Sequence, residues 1–252
     1  MPDTWIGRRV AFTLRRWGLR GLAVPVDSES LGVRFRLHPF DNVCEKRILF
    51  TPQYFDARER TLLTAHMERA GAGAVFIDIG ANIGGYSLFV ARHAPGCTVL
   101  AVEPQPEVFD RLTANIRNNP GGRVKAVACA VADRDGEATM FLDHRNRGES
   151  GLKIVRPDHS GGETITVPVS TLRSLLERED ISRIDALKVD VEGAEDLILE
   201  PFFAGAPQSM WPGMVIMENA RMRWHVDLIQ MLEARGYRVK ARTKLKVVLA
   251  RD

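Results

Sequence analysis

The chain has 252 residues, 45% hydrophobic, 27% charged and 7% aromatic, with a formal net charge of +3. That is the composition of a globular protein long enough to bury a full core, and it excludes disordered, collagenous and fibrous classes. Three widely spaced cysteines, Cys44, Cys97 and Cys129, form no CxxC pair, which speaks against a disulfide framework or a cysteine-rich zinc site and fits a reducing cytoplasm.

Residues 4–20 place Trp5, Val10, Phe12, Leu14 and Trp17 among Arg8, Arg9, Arg15, Arg16 and Arg20, the pattern of a basic amphipathic helix. Its apolar side is expected to dock on the chain's own domain; peripheral contact with an acidic membrane is the other use such a helix has. No apolar core followed by a small-residue cleavage site stands there, and no stretch is apolar for long enough to span a membrane, so a soluble, cytoplasmic protein is expected. A second basic run, Lys240, Arg242, Lys244 and Lys246, is read as solvated surface. The alternation of Val33 to Leu37 predicts a half-exposed strand. A helix is expected from Asp56 to Ala70, stopped by Gly71 and Gly73. Residues 1–70 thus read as an accessory cap and residues 71–252 as the main domain.

From Val75 the rhythm becomes strand, turn, helix. AVFID is a buried strand, Ile83 to Ala94 a helix, TVLAVEP the next strand, Pro106 to Asn118 a helix with proline in its first turn, and VKAVACAV a third strand. Residues 143–162 are polar, with His144 and His159 near the ends, and predict a long surface loop. A helix follows from Ser170 to Arg178, then the strands IDALKVDVEG and MVIMEN, a helix from His225 to Arg235, and a closing antiparallel pair, YRVKA and KLKVVLA. Short apolar strands alternating with helices define the α/β class, with a mostly parallel, doubly wound sheet and helices on both faces.

The chemistry concentrates in DIGANIGGYSL, residues 78 to 88. Gly80 and Gly84 allow close approach of backbone to a ligand. Glu103 ends the next strand, about 20 residues beyond the turn, where such folds place an acid for ribose hydroxyls. A dinucleotide site wants glycine in the middle of GxGxxG, but Asn82 stands there and would crowd a pyrophosphate. S-adenosylmethionine (SAM) has no phosphate and carries an amino-acid end, so it suits Asp78, Gly80, Asn82, Gly84 and Glu103 better. An NAD-dependent oxidoreductase is the disfavoured rival.

Four segments in order, FIDIGANIGGYSL, VEPQPEVFDRLTANIRNN, VPVSTLRSLLERE and ALKVDVEGAEDLILE, resemble the FkbM family of SAM-dependent methyltransferases. The resemblance spans roughly residues 75 to 200. It implies a Rossmann-like sheet of seven strands, SAM contacts at Asp78, Gly80, Asn82 and Glu103, and O-methylation of a hydroxyl on a small molecule, natural product or glycan. Glu200-Pro201 departs from the family pattern, in which glycine commonly follows. N- or carboxyl-methylation of a peptide, and a non-catalytic SAM-binding interaction module, are the alternatives. A nucleic-acid partner is not expected, because no aromatic-basic interleaving accompanies the basic ends.

Lys188, Asp190 and Glu192 fall on alternate positions of one strand and are expected to project together. Asp190 either pairs with Lys188 or faces the acceptor, while Glu192 stands where open α/β sheets bind ligands. Methyl transfer to a hydroxyl requires an aligned oxygen and a group to take its proton. Glu192, Asp190 and His225 are the catalytic candidates, with Glu218 a fourth possibility for the base, which sequence alone leaves unassigned. His144 and His159 have no ligand spacing, so no metal is expected.

Overall fold

The computed structural model describes residues 21–142 and 163–251. The helix expected over residues 4–20 and the loop expected over 143–162, including His144 and His159, lie outside the described residues. The described chain opens on a hairpin, β1 (Val26–Ser30) and β2 (Val33–Leu37), then helices α1 (Val43–Phe50) and α2 (Ala57–Ala70). The alternating core follows: β3 (Val75–Ile79), α3 (Gly85–His93), β4 (Thr98–Val102), α4 (Pro106–Asn118) and β5 (Arg123–Val127). Three strands, β6 (Ala130–Ala132), β7 (Gly136–Phe141) and β8 (Thr164–Thr171), lead into α5 (Leu172–Arg178). The chain closes with β9 (Ala186–Val189), α6 (Asp196–Gly205), β10 (Met214–Glu218), α7 (Leu228–Glu233), β11 (Arg238–Arg242) and β12 (Lys246–Ala250).

Among the described residues, seven strands form one sheet in the order β11-β12-β10-β9-β3-β4-β5. The block β10-β9-β3-β4-β5 is parallel throughout, and β12 alone runs against its neighbours β10 and β11. A mostly parallel sheet needs cover on both faces, and alternation along each strand supplies it. Phe76, Val99, Ile216 and Val248 point to one face, where Leu63 and Met67 of α2, Val90 of α3 and the hairpin's Val33, Phe35 and Leu37 meet them. Ile77, Leu100, Leu187, Val215 and Leu249 point to the other, against Leu175 of α5, Leu199 and Phe202 of α6 and Leu232 of α7. Each such side chain, once removed from water, stabilises the fold by roughly 1.5–3 kcal/mol.

The hairpin seats on α4 through polar contacts as well. The Asn115 and Asn119 side-chain oxygens accept the N–H groups of Arg36 and Arg34 at 2.7 and 3.0 Å. Residues 26–70 therefore share their core with the sheet. Among the described residues no helix is long and apolar enough to cross a membrane.

Several expected boundaries shift for identifiable reasons. VKAVACAV divides into β5 and β6, because β6 leaves the main sheet to pair in parallel with β8. The final helix starts at Leu228, where the Asp227 carboxylate accepts the N–H groups of Ile229 and Gln230 as an N-cap. Lys246, read as surface, is buried, since β12 lies inside the sheet between β10 and β11.

Candidate functional site

The turn from β3 into α3 lies at the carboxyl edge of the sheet, between β4 and β9. Gly80 (φ 72°), Asn82 (φ 52°) and Gly84 (φ 92°) all adopt the left-handed region, which glycine enters freely and asparagine at modest cost. At Gly80 a Cβ would stand 2.1 Å from the Asp190 carbonyl oxygen, so the β3 and β9 ends pack backbone to backbone.

Every backbone N–H from Gly80 to Gly84 is satisfied within the protein. Gly80 and Ala81 donate to the Val102 carbonyl, Asn82 to Glu103 Oε2, Ile83 to Asn82 Oδ1 and Gly84 to the Ala81 carbonyl, at 2.8–3.0 Å. The turn thus offers none of these donors to a phosphate. Asn82 Oδ1 also accepts the Asn42 side-chain amide at 2.9 Å. Asn42 in turn caps α1, so the N-terminal segment holds the turn's shape.

Glu103 lies buried beside this turn. Its two oxygens accept the N–H groups of Asn82 (2.9 Å) and Gln105 (3.1 Å). Burial outweighs these bonds and raises its pKa to about 7. Gln105 follows at the N-terminus of α4, buried, with both its side-chain amide atoms lacking a hydrogen-bond partner among the described residues. An orphaned buried amide is uncommon in folded proteins.

Asp78 is fully buried and committed, accepting from Ser87 Oγ at 2.6 Å and from Lys188 Nζ at 2.9 Å. Lys188 also approaches Asp190 at 3.6 Å, and Asp190 binds Lys246 Nζ at 2.6 Å. The result is a chain of alternating charges, Asp78, Lys188, Asp190 and Lys246, lying under the carboxyl edge. The two lysines overcome burial and hold the Asp190 carboxyl well below its ordinary range. Lys188 lies over the Tyr86 ring, 5.3 Å from its centroid, and the Tyr86 hydroxyl donates to Asp56 at 3.0 Å. Asp78 and Lys188 are direct register partners, the pairing that buried charges require.

The next residues leave the strand, which ends at Val189. Glu192 adopts φ 59°, so Lys188, Asp190 and Glu192 do not continue one alternating strand face. Arg223 closes over this turn, its guanidinium donating to the Glu192 carbonyl at 2.9 Å. Glu195 is buried and accepts from Val191 N, Gly193 N and Trp224 Nε1. His225 stands outward with an 83% exposed side chain, its Nδ1 3.0 Å from Asp196 Oδ2. Glu218 ends β10 with Oε1 3.8 Å from Arg223 and a buried Oε2 that has no hydrogen-bond partner among the described residues.

The structure therefore brings Asp78, Gly80, Asn82, Gly84 and Glu103 to one turn, and Asp190 to the same edge. His225 pairs with Asp196 at the start of α6. Asn42 and Gln105 escaped the sequence reading, and Lys246 was read there as surface. A polar residue just after Glu103-Pro104 was the one available signal, for Gln105.

A family model described as Methyltransferase FkbM domain matches residues 78–239. The 31-O-demethyl-FK506 methyltransferase FkbM of Streptomyces tacrolimicus is 32% identical over 169 residues, covering 56% of this chain and 62% of that protein. The hexuronic acid methyltransferase AglP of Haloferax volcanii is 28% identical over 142 residues, covering 56% of this chain and 55% of that protein. Matches to these relatives thus span somewhat over half of their length. Among solved structures, a human methyltransferase 10 domain containing protein superposes with a TM-score of 0.53 at 13% identity, covering 100% of this chain and 99% of that one. The METTL16 methyltransferase domain gives a TM-score of 0.52 at 14% identity, covering 88% of this chain and 74% of that one. With the sheet, the glycine turn and the family match in agreement, this chain belongs to the FkbM methyltransferase family.

Proposed function

We propose that this chain transfers the methyl group of SAM to a hydroxyl oxygen of a small molecule, natural product or glycan. The observation that carries the reading is a glycine turn whose amides are all used internally, set beside a buried acid. A pyrophosphate would need those amides; a nucleoside ending in an amino acid does not. Glu103 would accept the ribose hydroxyls, and Gln105 offers its orphaned amide to the same end of the ligand. Gly80 and Asn82 shape the backbone on which the amino-acid end would rest. When bound, SAM supplies an electrophilic methyl carbon on a sulfonium sulfur.

The protein's own residues supply binding, alignment and proton removal. Asp78 acts through Ser87 and Lys188, fixing the turn. The relatives named for FK506 and hexuronic acid methylation supply the acceptor class. The test is calorimetric titration with SAM, S-adenosylhomocysteine and NAD in parallel. Both adenosyl ligands are expected to bind, and Glu103→Ala to abolish that binding while the protein stays folded. NAD binding with SAM silent would overturn the reading. An acceptor screen with NMR of the product then locates the methylated atom; a methyl on nitrogen or carboxylate would replace the hydroxyl assignment.

A further inference from the structure

The carboxyl edge of β9 and β10 gathers more acids than its structural bonds consume. Each can be followed to its partners. Asp190 is held by Lys246 and Lys188, and its proton affinity is lowered accordingly. Glu195 has its oxygens engaged by two backbone N–H groups and the Trp224 indole. Asp196 accepts both the backbone N–H and the ring Nδ1 of His225. Glu218 differs. Directly opposite it in the β10–β12 register stands Lys246, but that ammonium turns to Asp190. Arg223 stays 3.8 Å from Oε1, beyond hydrogen-bond distance, and the Glu218 side chain keeps 21% exposure. Oε2 is buried without a partner among the described residues. One oxygen faces Arg223 in a loose ion pair while the other makes no bond within the described residues, and a carboxylate left so fits a proton acceptor better than a structural strut.

Resting on the cofactor reading above, we infer that the Glu218 carboxylate is the base that takes the proton of the acceptor hydroxyl. As the acceptor O–H proton passes to the Glu218 carboxylate, the oxygen lone pair forms the new C–O bond to the methyl carbon. The C–S bond breaks with its electrons staying on sulfur. The products are the methyl ether, S-adenosylhomocysteine and a protonated Glu218, which then loses its proton to water. Burial, with Glu195 and Asp190 nearby, raises the Glu218 pKa above the ordinary carboxylate value, towards the operating pH that a general base needs. The Asp190–Lys246 pair acts as a positioning element, keeping the ammonium off Glu218.

Sinefungin provides a test that needs no acceptor, because it carries an amine on the carbon that replaces the sulfonium centre. That amine should meet the carboxylate which otherwise receives the acceptor proton. Titrations of wild type, Glu218→Gln and Glu218→Asp with sinefungin and with S-adenosylhomocysteine give the readout. Glu218→Gln is expected to weaken sinefungin by about tenfold or more, the loss of one charge-assisted hydrogen bond. S-adenosylhomocysteine affinity should stay within about twofold of wild type, which also reports that the variant folds. Glu218→Asp should keep part of the sinefungin preference, and it decides the matter should the glutamine variant not fold. An unchanged sinefungin-to-S-adenosylhomocysteine ratio in both variants would overturn the assignment of the base alone. Failure of wild type to bind S-adenosylhomocysteine would instead overturn the cofactor reading, and this assignment with it.

Discussion

At the scale of single residues, the proposed role of Glu103 makes cofactor affinity depend on pH. Burial leaves its pKa at about 7 in the free protein, whereas ribose hydroxyls donate to the charged carboxylate and favour that form. Binding must therefore release a proton whenever the pH lies below that value. The affinity for S-adenosylhomocysteine should be level above about pH 8 and fall about tenfold from pH 8 to pH 6, as the ionised fraction drops. Calorimetry at three pH values measures it, and a level profile across that range would remove Glu103 from the site. The positions of Glu103 and Asn82 beside the turn were legible in sequence because both are set by spacing from a glycine turn. Asn42 was not, because its bond to Asn82 spans 40 positions and no local pattern announces it. Lys246 was hidden by company: among Lys240, Arg242 and Lys244 it reads as one more surface charge, and only its neighbour Asp190 separates it from them.

At the scale of elements, the β3–α3 turn tolerates little substitution. Gly80 combines φ 72° with a Cβ position 2.1 Å from the Asp190 carbonyl. An alanine there must pay the left-handed cost of about 1–2 kcal/mol and also push two strand ends apart. Gly80→Ala should thus destabilise by roughly 3 kcal/mol or more and abolish S-adenosylhomocysteine binding. Urea unfolding and titration check the two effects separately; a variant with wild-type stability would mean that the turn relaxes without moving β9. The strand and helix sequence from Val75 onward was legible because parallel strands are apolar runs and their helices carry clear stops. The hairpin strand β1, helix α1 and strands β7 and β8 were not anticipated. In α1 the buried side chains include Glu45, whose carboxylate takes Arg111 at 2.7 Å. A charge on the inward face hides the apolar period that would have marked a helix.

At the scale of the whole molecule, the question is whether the segment before Val75 folds with the sheet or beside it. Phe35, Leu37, Ile48, Leu63 and Met67 lie in the same buried cluster as Phe76, Val99, Ile216 and Val248, and Asn42 and Arg111 add polar ties to the turn and to α4. A shared core implies one cooperative transition. Phe35→Ala should lower that transition by about 3–5 kcal/mol without splitting it, as followed by calorimetric melting. A ligand that binds only the folded chain must then stabilise the entire unit. S-adenosylhomocysteine at a hundred times its Kd should add about 2.7 kcal/mol, equivalent to about 5–10 °C in Tm for a chain of this size. That upward shift should appear in wild type and in Phe35→Ala alike, since Phe35 lies on the sheet face and not at its carboxyl edge. Two separate transitions, with only one moved by ligand, would instead mean that residues 26–70 fold independently and that their grip on Asn82 is incidental.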